Sequence, residues 1–391
     1  MNVLLLAPQP FYTERGTPIA VRLLAETLCS AGYRVDLLTF HEGEDVSIPG
    51  LRIERIPKLP FVKNVPVGFS FKKLCCDLLL AVKLYQLLWK HHYDFIHAVE
   101  ESVFPVLLTK LFINTPIIYD RDSSMADQMI EKWPLLRYAG KVLYGFEKLA
   151  ARLPNAVIAV CGDLAEKIRA YAPEQTVYVI EDTSPPPTAT PRGYDELRPL
   201  LDIKGKLILY VGNLEHYQGV GLMIQGFAEA REALDLDLVI IGGPSGQIQS
   251  YRQMARDLRV GDRTHLLGTR PVDHLSAYLE QADILVSPRI KGANTPMKLF
   301  SYLAAGKAIL ATKIRAHTQV LTASSAFLVD PTPSAMARGF TRLSQDPALC
   351  SQLGSAAYEL SQQRYSQAAF QKKILDSYAS LQPKQLTCSG K

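Results

Sequence analysis

The chain has 391 residues, 48% of them hydrophobic and 21% charged, which excludes a disordered or collagen-like chain and leaves length for two domains, each with its own core. Its formal net charge of +5 at pH 7 lies in the second half, because residues 1–200 hold near-equal acids and bases. That surplus suits an acidic small ligand and is too weak for a nucleic-acid partner. The six cysteines lack the spacing of a zinc site or a disulfide framework, which points to a reducing, cytoplasmic compartment.

In chain order, VLLLA near the N-terminus reads as a buried strand with no cleavable apolar leader before it. The loop 8–18 ends in RGTP, residues 19–31 read as a helix closed by Gly32, and RVDLLTF is the next strand. GFSFKKLCCDLLLAVKLYQLLWK (68–90) is a helix that mixes basic with apolar residues, after the basic loop IPKLPFVKNVPV. Asp77 and Lys83 interrupt its apolar run, so any membrane contact is peripheral. DFIHA (94–98), PIIYD (116–120), AVIAV (156–160) and VYVIE (177–181) follow as strands separated mostly by helical patterns. Such alternation predicts a parallel sheet covered on both faces.

SPPPTATPRGYDELRP (184–199) breaks every periodicity, and its prolines make it a stiff connector. We place an N-terminal domain over 1–183, the link over 184–199 and a second α/β domain over 200–364. A helix 365–381 packs back on the first domain, and 382–391 is a tail. The second domain reads as KLILYVG, helix 220–233, DLVIIGG, helix 247–258, THLLG, helix 272–281 and DILVS.

ADILVSPRIKGANTPMKLFSYLAAG (282–306) joins a strand, a basic loop and a helix start. Thr295 is the expected N-cap, Pro296 the first helical residue and Gly306 the stop. A helix N-terminus with Arg289, Lys291 and Lys298 beside it is a seat for a phosphate or diphosphate, although a capped surface helix with ordinary basic residues has the same cap chemistry.

ADILVSP followed by PMKLFSYLAAGKAILAT resembles the nucleotide-sugar segment of the retaining glycosyltransferases of family 4. The order of motifs resembles that family along most of the chain, in a bacterial subgroup with Asn, Gln, Ala and Ser at several usually charged positions. The resemblance implies the GT-B fold: α/β, two Rossmann-like domains with parallel sheets facing across a cleft. It also implies a nucleotide diphosphate sugar as co-substrate, with no cofactor and no metal.

YVGNLEHYQGV (210–220) resembles the family's glycine turn, with Gly212 as its glycine. Many members hold the donor diphosphate with an Arg and a Lys where this chain has Asn213 and Gln218. Arg289 and Lys298 are the candidates to supply the missing charge. The glycines of IIGGPSG and LLGTRP, Gly243 and Gly268 among them, match loops that approach the sugar and the base. Two family glutamates fall at Ala293 and Ser301. The second binds ribose hydroxyls in the family, a task left here to Ser301, while donor-sugar contacts rest on Asn294, Thr295, Pro296 and Met297.

On the acceptor side, ERGTP (14–18) matches the family's glycine-rich loop, with Gly16 toward the donor and Arg15 toward the acceptor. YDRDSS (119–124) delivers Asp120 and Asp122, the latter where relatives often place a His beside the transferred sugar. Asp122 is equally spelled as an N-cap for the helix after it. His97 and Glu100, at a neighbouring strand end, are further acceptor ligands. The acceptor is a glycan or lipid-linked, and residues 57–90 could touch an anionic membrane on the inner face of the plasma membrane. An inactive regulatory or scaffold relative and a GT-B epimerase are the alternative readings.

Overall fold

The computed structural model of the chain describes residues 1–14, 16–66, 68, 70–184, 193–231 and 235–382. Arg15, half of the proline-rich link (185–192) and most of the tail (383–391) lie outside the described residues. The chain divides into two units: Met1–Glu181 with the segment from Phe370 onward, and Asp182–Ala369 between them.

The N-terminal unit is built on strands β1 (Asn2–Ala7), β2 (Arg34–Thr39), β3 (Leu51–Arg55), β4 (Phe95–Val99), β5 (Ile117–Arg121), β6 (Ala156–Ala159) and β7 (Val177–Val179). They form one parallel sheet in the order β3-β2-β1-β4-β5-β6-β7. Val3, Leu4, Leu5 and Leu6 are wholly buried, so β1 is covered on both faces, with Leu4 and Leu6 in one core layer and Val3 and Leu5 in the other. Each such side chain contributes about 1.5–3 kcal/mol by burial. The register pairs His97 with Ile118 and Val99 with Asp120, which brings the ends of β4 and β5 level.

Helix Gln367–Leu381 enters this unit through Tyr378, wholly buried and set edge-on to Tyr33 and Phe95. Lys373 pairs with Glu181 at 2.6 Å.

The second unit carries β8 (Lys206–Val211), β9 (Leu236–Ile241), β10 (Thr264–Gly268), β11 (Ile284–Ser287), β12 (Ala308–Thr312) and β13 (Phe327–Val329). This sheet too is parallel, in the order β10-β9-β8-β11-β12-β13. The described part of the link corrects one expectation. Residues 193–199 are packed into this unit: Leu197 is wholly buried, and Asp195 binds Arg270 at 2.8 Å. Strands β3, β12 and β13 are additions to the expected set. β3 is a partly exposed edge strand, β13 has three residues, and β12 begins two residues after Gly306 closes the preceding helix.

Candidate functional site

In the second sheet the chain leaves β8 toward β9 and leaves β11 toward β12, in opposite directions, so β8 and β11 flank a topological switch point. Ligands of open α/β sheets bind outside the strand carboxyl ends at such a point. Two loops meet there, 212–219 after β8 and 288–297 after β11. Ile290 donates its N–H to the Tyr217 carbonyl at 2.9 Å. Gly219, at φ +73°, lets the Pro288 carbonyl approach so closely that any Cβ would collide with it. A substitution there would be strained twice, in backbone and in packing.

The expected cations converge on this point. Lys298 Nζ sits 4.0 Å from the Tyr210 ring centroid and donates to Gln218 Oε1 at 3.2 Å. A Cβ at Gly212 would lie 2.5 Å from that nitrogen, so the glycine admits the ammonium. Arg289 lies over the Tyr217 ring at 5.1 Å and donates to the carbonyls of Lys291 (2.6 Å) and Asn294 (3.0 Å). Burial first, then the charge of Arg289, holds the Lys298 ammonium well below its usual pKa, and burial lowers Arg289 too. No carboxylate contributes to either shift.

Behind the loop, buried His317 bridges Ser287 Oγ (Nε2, 2.9 Å) and the Thr312 carbonyl (Nδ1, 2.7 Å), and the Thr312 hydroxyl donates to the Arg289 carbonyl. Burial pushes His317 down to about 4, with Arg289 and Lys298 adding to the effect, so it is a neutral fixture at physiological pH. Tyr210, Tyr217 and His317 escaped the reading of the sequence, because an aromatic in a strand or turn carries no site signal of its own.

Three expectations need correcting here. The helix runs Lys298–Ala304 with Met297 as its N-cap, so Thr295 and Pro296 precede it; Leu299 and Phe300 bond back to Pro296 and Met297 in a tight first turn. Thr295 is 7% exposed, and its hydroxyl has no hydrogen-bond partner. Gln218 is buried with its amide oxygen committed to Lys298, so it orients that cation instead of standing free for a ligand. Ser301 is buried one turn inside the helix, where it accepts from Ser184 Oγ at 3.3 Å. Asn213 is exposed at the loop, Gly243 lies in the turn after β9, and Gly268 is the last residue of β10, both glycines at positive φ.

The N-terminal sheet has its switch point between β1 and β4. Gly16 opens helix Gly16–Ser30, and a Cβ there would meet nothing within 4 Å. His97 is wholly buried, its Nδ1 against the Tyr378 hydroxyl at 2.8 Å and its Nε2 against Asp120 Oδ2 at 3.2 Å. Contrary to the expectation of an acceptor ligand, both ring nitrogens are engaged inside the unit, Nε2 with Asp120. Arg121 is likewise internal, paired with Glu147 at 2.7 Å. Asp122 is half-buried at the end of β5. The cap of helix Met125–Lys132 is Ser124, and Glu147 takes the Ala126 N–H at 2.8 Å.

Glu100 follows β4 with φ +50°, an uncommon backbone for a residue other than glycine, and accepts from Ser123 Oγ at 2.9 Å. Burial, with Asp120 adding, raises its carboxyl to about 7, against the Ser123 bond and Arg121. A raised folded-state pKa favours the fold below the ordinary value of 4.5 and is lost as pH climbs toward 7. Glu100→Gln should therefore stabilise the protein by about 1–3 kcal/mol at pH 8 and much less at pH 5. Denaturant melts at both pH values check this; an equal difference at each would refute the assignment.

Two Rossmann-like units with parallel sheets and a cationic switch point define a class, the GT-B proteins. The model for Glycosyltransferase Family 4 matches residues 15–181, and the model for Glycosyl transferases group 1 matches residues 196–360. The two together take in most of the chain, which belongs to the glycosyltransferases of the GT-B fold.

Among curated proteins, the D-inositol 3-phosphate glycosyltransferase of Corynebacterium efficiens is 34% identical over 106 residues, 26% of this chain and 24% of that protein. The chain thus matches about a quarter of that relative's length. Sucrose-phosphate synthase of Thermosynechococcus elongatus superposes with a TM-score of 0.80 at 19% identity, covering 97% of this chain and 98% of that one. HepE of Anabaena, solved with UDP-glucose, gives a TM-score of 0.75 at 16% identity, covering 97% and 100%. At such identities the structural likeness speaks to the fold.

Proposed function

We propose that the chain transfers a sugar, with retention of configuration, from a nucleoside diphosphate donor to a hydroxyl of a glycan or lipid-linked acceptor. The observation that carries this reading is the pair Arg289 and Lys298, two half-buried cations at one switch point with no carboxylate contributing to either. Like charges withdrawn from water are costly, and a bound diphosphate offsets both the repulsion and the lost solvation.

In the transfer, the bond from the anomeric carbon to the diphosphate oxygen breaks and a bond from the acceptor oxygen forms on the same face. The acceptor proton passes to the departing diphosphate. Charge collects on that diphosphate, where Lys298 and Arg289 stabilise it most. In this reading the two side chains take the part of a divalent metal, and the described residues hold no group of three or more His, Cys, Asp or Glu placed to bind one. Asp122 serves the transferred sugar, while Glu100 and Asp120 serve the acceptor. Residues 57–90, of which 67 and 69 lie outside the described residues, form a peripheral contact with an anionic membrane on the cytoplasmic side.

A second reading, a non-catalytic relative, draws on Ala293 and on Ser301, whose short side chain is buried against Ser184. The experiment is a thermal-shift screen of nucleotide sugars followed by turnover assays with acceptor extracts. Uridine donors come first, because HepE was solved with UDP-glucose. Donor binding raises the melting temperature by mass action. Binding without transfer to any acceptor would favour the second reading, and no binding by any nucleotide sugar would sink the transferase reading.

A further inference from the structure

The N-terminal unit turns an unusual amount of apolar surface to water. Helix Phe71–Lys90 has two apolar stripes: Cys76, Leu80, Leu84 and Leu87 face the core, while Phe71, Leu74, Leu78, Val82 and Trp89 are exposed. Helix Gly140–Arg152 repeats the arrangement, with Ala150 and Ala151 inward and Val142, Phe146 and Leu149 outward. Helix Val103–Thr109 lies between them in the chain, with Leu108 and Leu111 exposed at its end. Of the exposed side chains, Leu74, Leu78, Leu108, Leu111, Phe146 and Leu149 wall a groove of about 820 Å³, within the range of small-molecule sites. An amphipathic helix needs one apolar stripe to fold onto its core; the second has no folding role and marks a binding surface.

The groove is polar where it meets the switch point. There it is lined by Pro8, just after β1, by Glu101 and Ser102, just after β4, and by Lys73 and Asp77. Lys73 donates to the Pro8 carbonyl at 3.0 Å, lies 3.3 Å from Asp77 and pairs with Glu101. Elsewhere the walls are chiefly Leu, Phe, Met and Trp, which offer a ligand surface but few directional bonds. The surrounding segments expose Lys63, Lys72, Lys90, Lys132, Arg137 and Lys141. Aromatic side chains at Trp89, Trp133 and Tyr138 are exposed among them, the mixture that suits an anionic bilayer surface. No described helix is long and apolar enough to cross a membrane.

We infer that this groove receives the hydrocarbon chain of a bilayer-borne lipid, with the lipid's head at the Lys73, Asp77 and Glu101 end. The lipid's role as acceptor rests on the transferase reading above; its occupancy of the groove does not. A hydrocarbon chain fills walls that offer few hydrogen bonds, and the basic rim complements anionic headgroups.

The test uses the chain's own fluorescence, since its two tryptophans, Trp89 and Trp133, both lie in this region and Trp133 lines the groove. The full chain is titrated with phosphatidylglycerol vesicles whose acyl chains are brominated, alongside Leu78→Asp and Leu149→Asp. Leu78 and Leu149 are 62% and 49% exposed, so both variants should fold, which circular dichroism checks.

We expect quenching in the parent and a fall of about tenfold or more in vesicle affinity in each variant, with donor-induced thermal shifts unchanged. Three results overturn the inference: no quenching, quenching that both variants retain, or a dimer in sedimentation that Leu78→Asp abolishes, which would reassign the face to a second copy. Loss of the donor shift in every protein, with quenching intact, would strike the transferase reading alone.

Discussion

Lys298→Ala weakens binding of the nucleotide-sugar donor by about 1–3 kcal/mol, roughly ten- to a hundredfold, the worth of a charge-assisted hydrogen bond. Arg289→Ala does the same. In the free protein Lys298 is held well below its ordinary pKa by burial and by Arg289. A diphosphate beside it favours the ammonium and raises that pKa, so the donor binds with uptake of a proton. The sign follows: affinity declines as pH rises through the window between the free and bound pKa values of Lys298, and Lys298→Ala flattens the dependence. Calorimetry in two buffers of different ionisation enthalpy reads the proton directly. Unchanged donor affinity in both alanine variants would remove the phosphate seat from this loop.

Asp122→Asn lowers turnover by about a hundredfold or more while leaving the melting temperature close to that of the parent. The amide keeps the shape and loses the charge, which separates an electrostatic role toward the transferred sugar from a role in folding. The usual objection to such an assignment is that an acid before a helix caps it. Here Ser124 accepts from the Asp127 N–H and Glu147 accepts from Ala126 at 2.8 Å, so these two first-turn N–H groups are held by other side chains. Ser124→Ala is the control, and it should lose about 1 kcal/mol of stability. Near-normal turnover in Asp122→Asn would leave the acceptor-side unit without its main candidate.

Much of the architecture was legible in the order of residues. Runs such as VLLLA and LVII are apolar at every position, as strands covered on both faces are. Gly306 stands just beyond its helix with φ +63°, a conformation glycine adopts without strain. The cationic character of 289–298 was equally plain, since charge is a property of composition. Less legible were the exact helix start at Lys298 and the strand Phe327–Val329, where a few residues of weak periodicity carry too little information.

What each side chain does was decided by tertiary structure. Gln218 and Lys298 are 80 positions apart, and His97 and Tyr378 are 281 apart. Their meeting depends on strand order, which no local pattern encodes. For the same reason His97, an apparent acceptor ligand, proved to be buried with Nε2 against Asp120. The sequence by itself determined most of the strands and helices and where the positive charge gathers, because those follow from near-neighbour chemistry and periodicity. Only the folded sheets decided which charges lose their water, which polar groups find partners, and which of the two apolar stripes of helix Phe71–Lys90 faces the core, because burial is a property of what packs alongside and not of the residue itself.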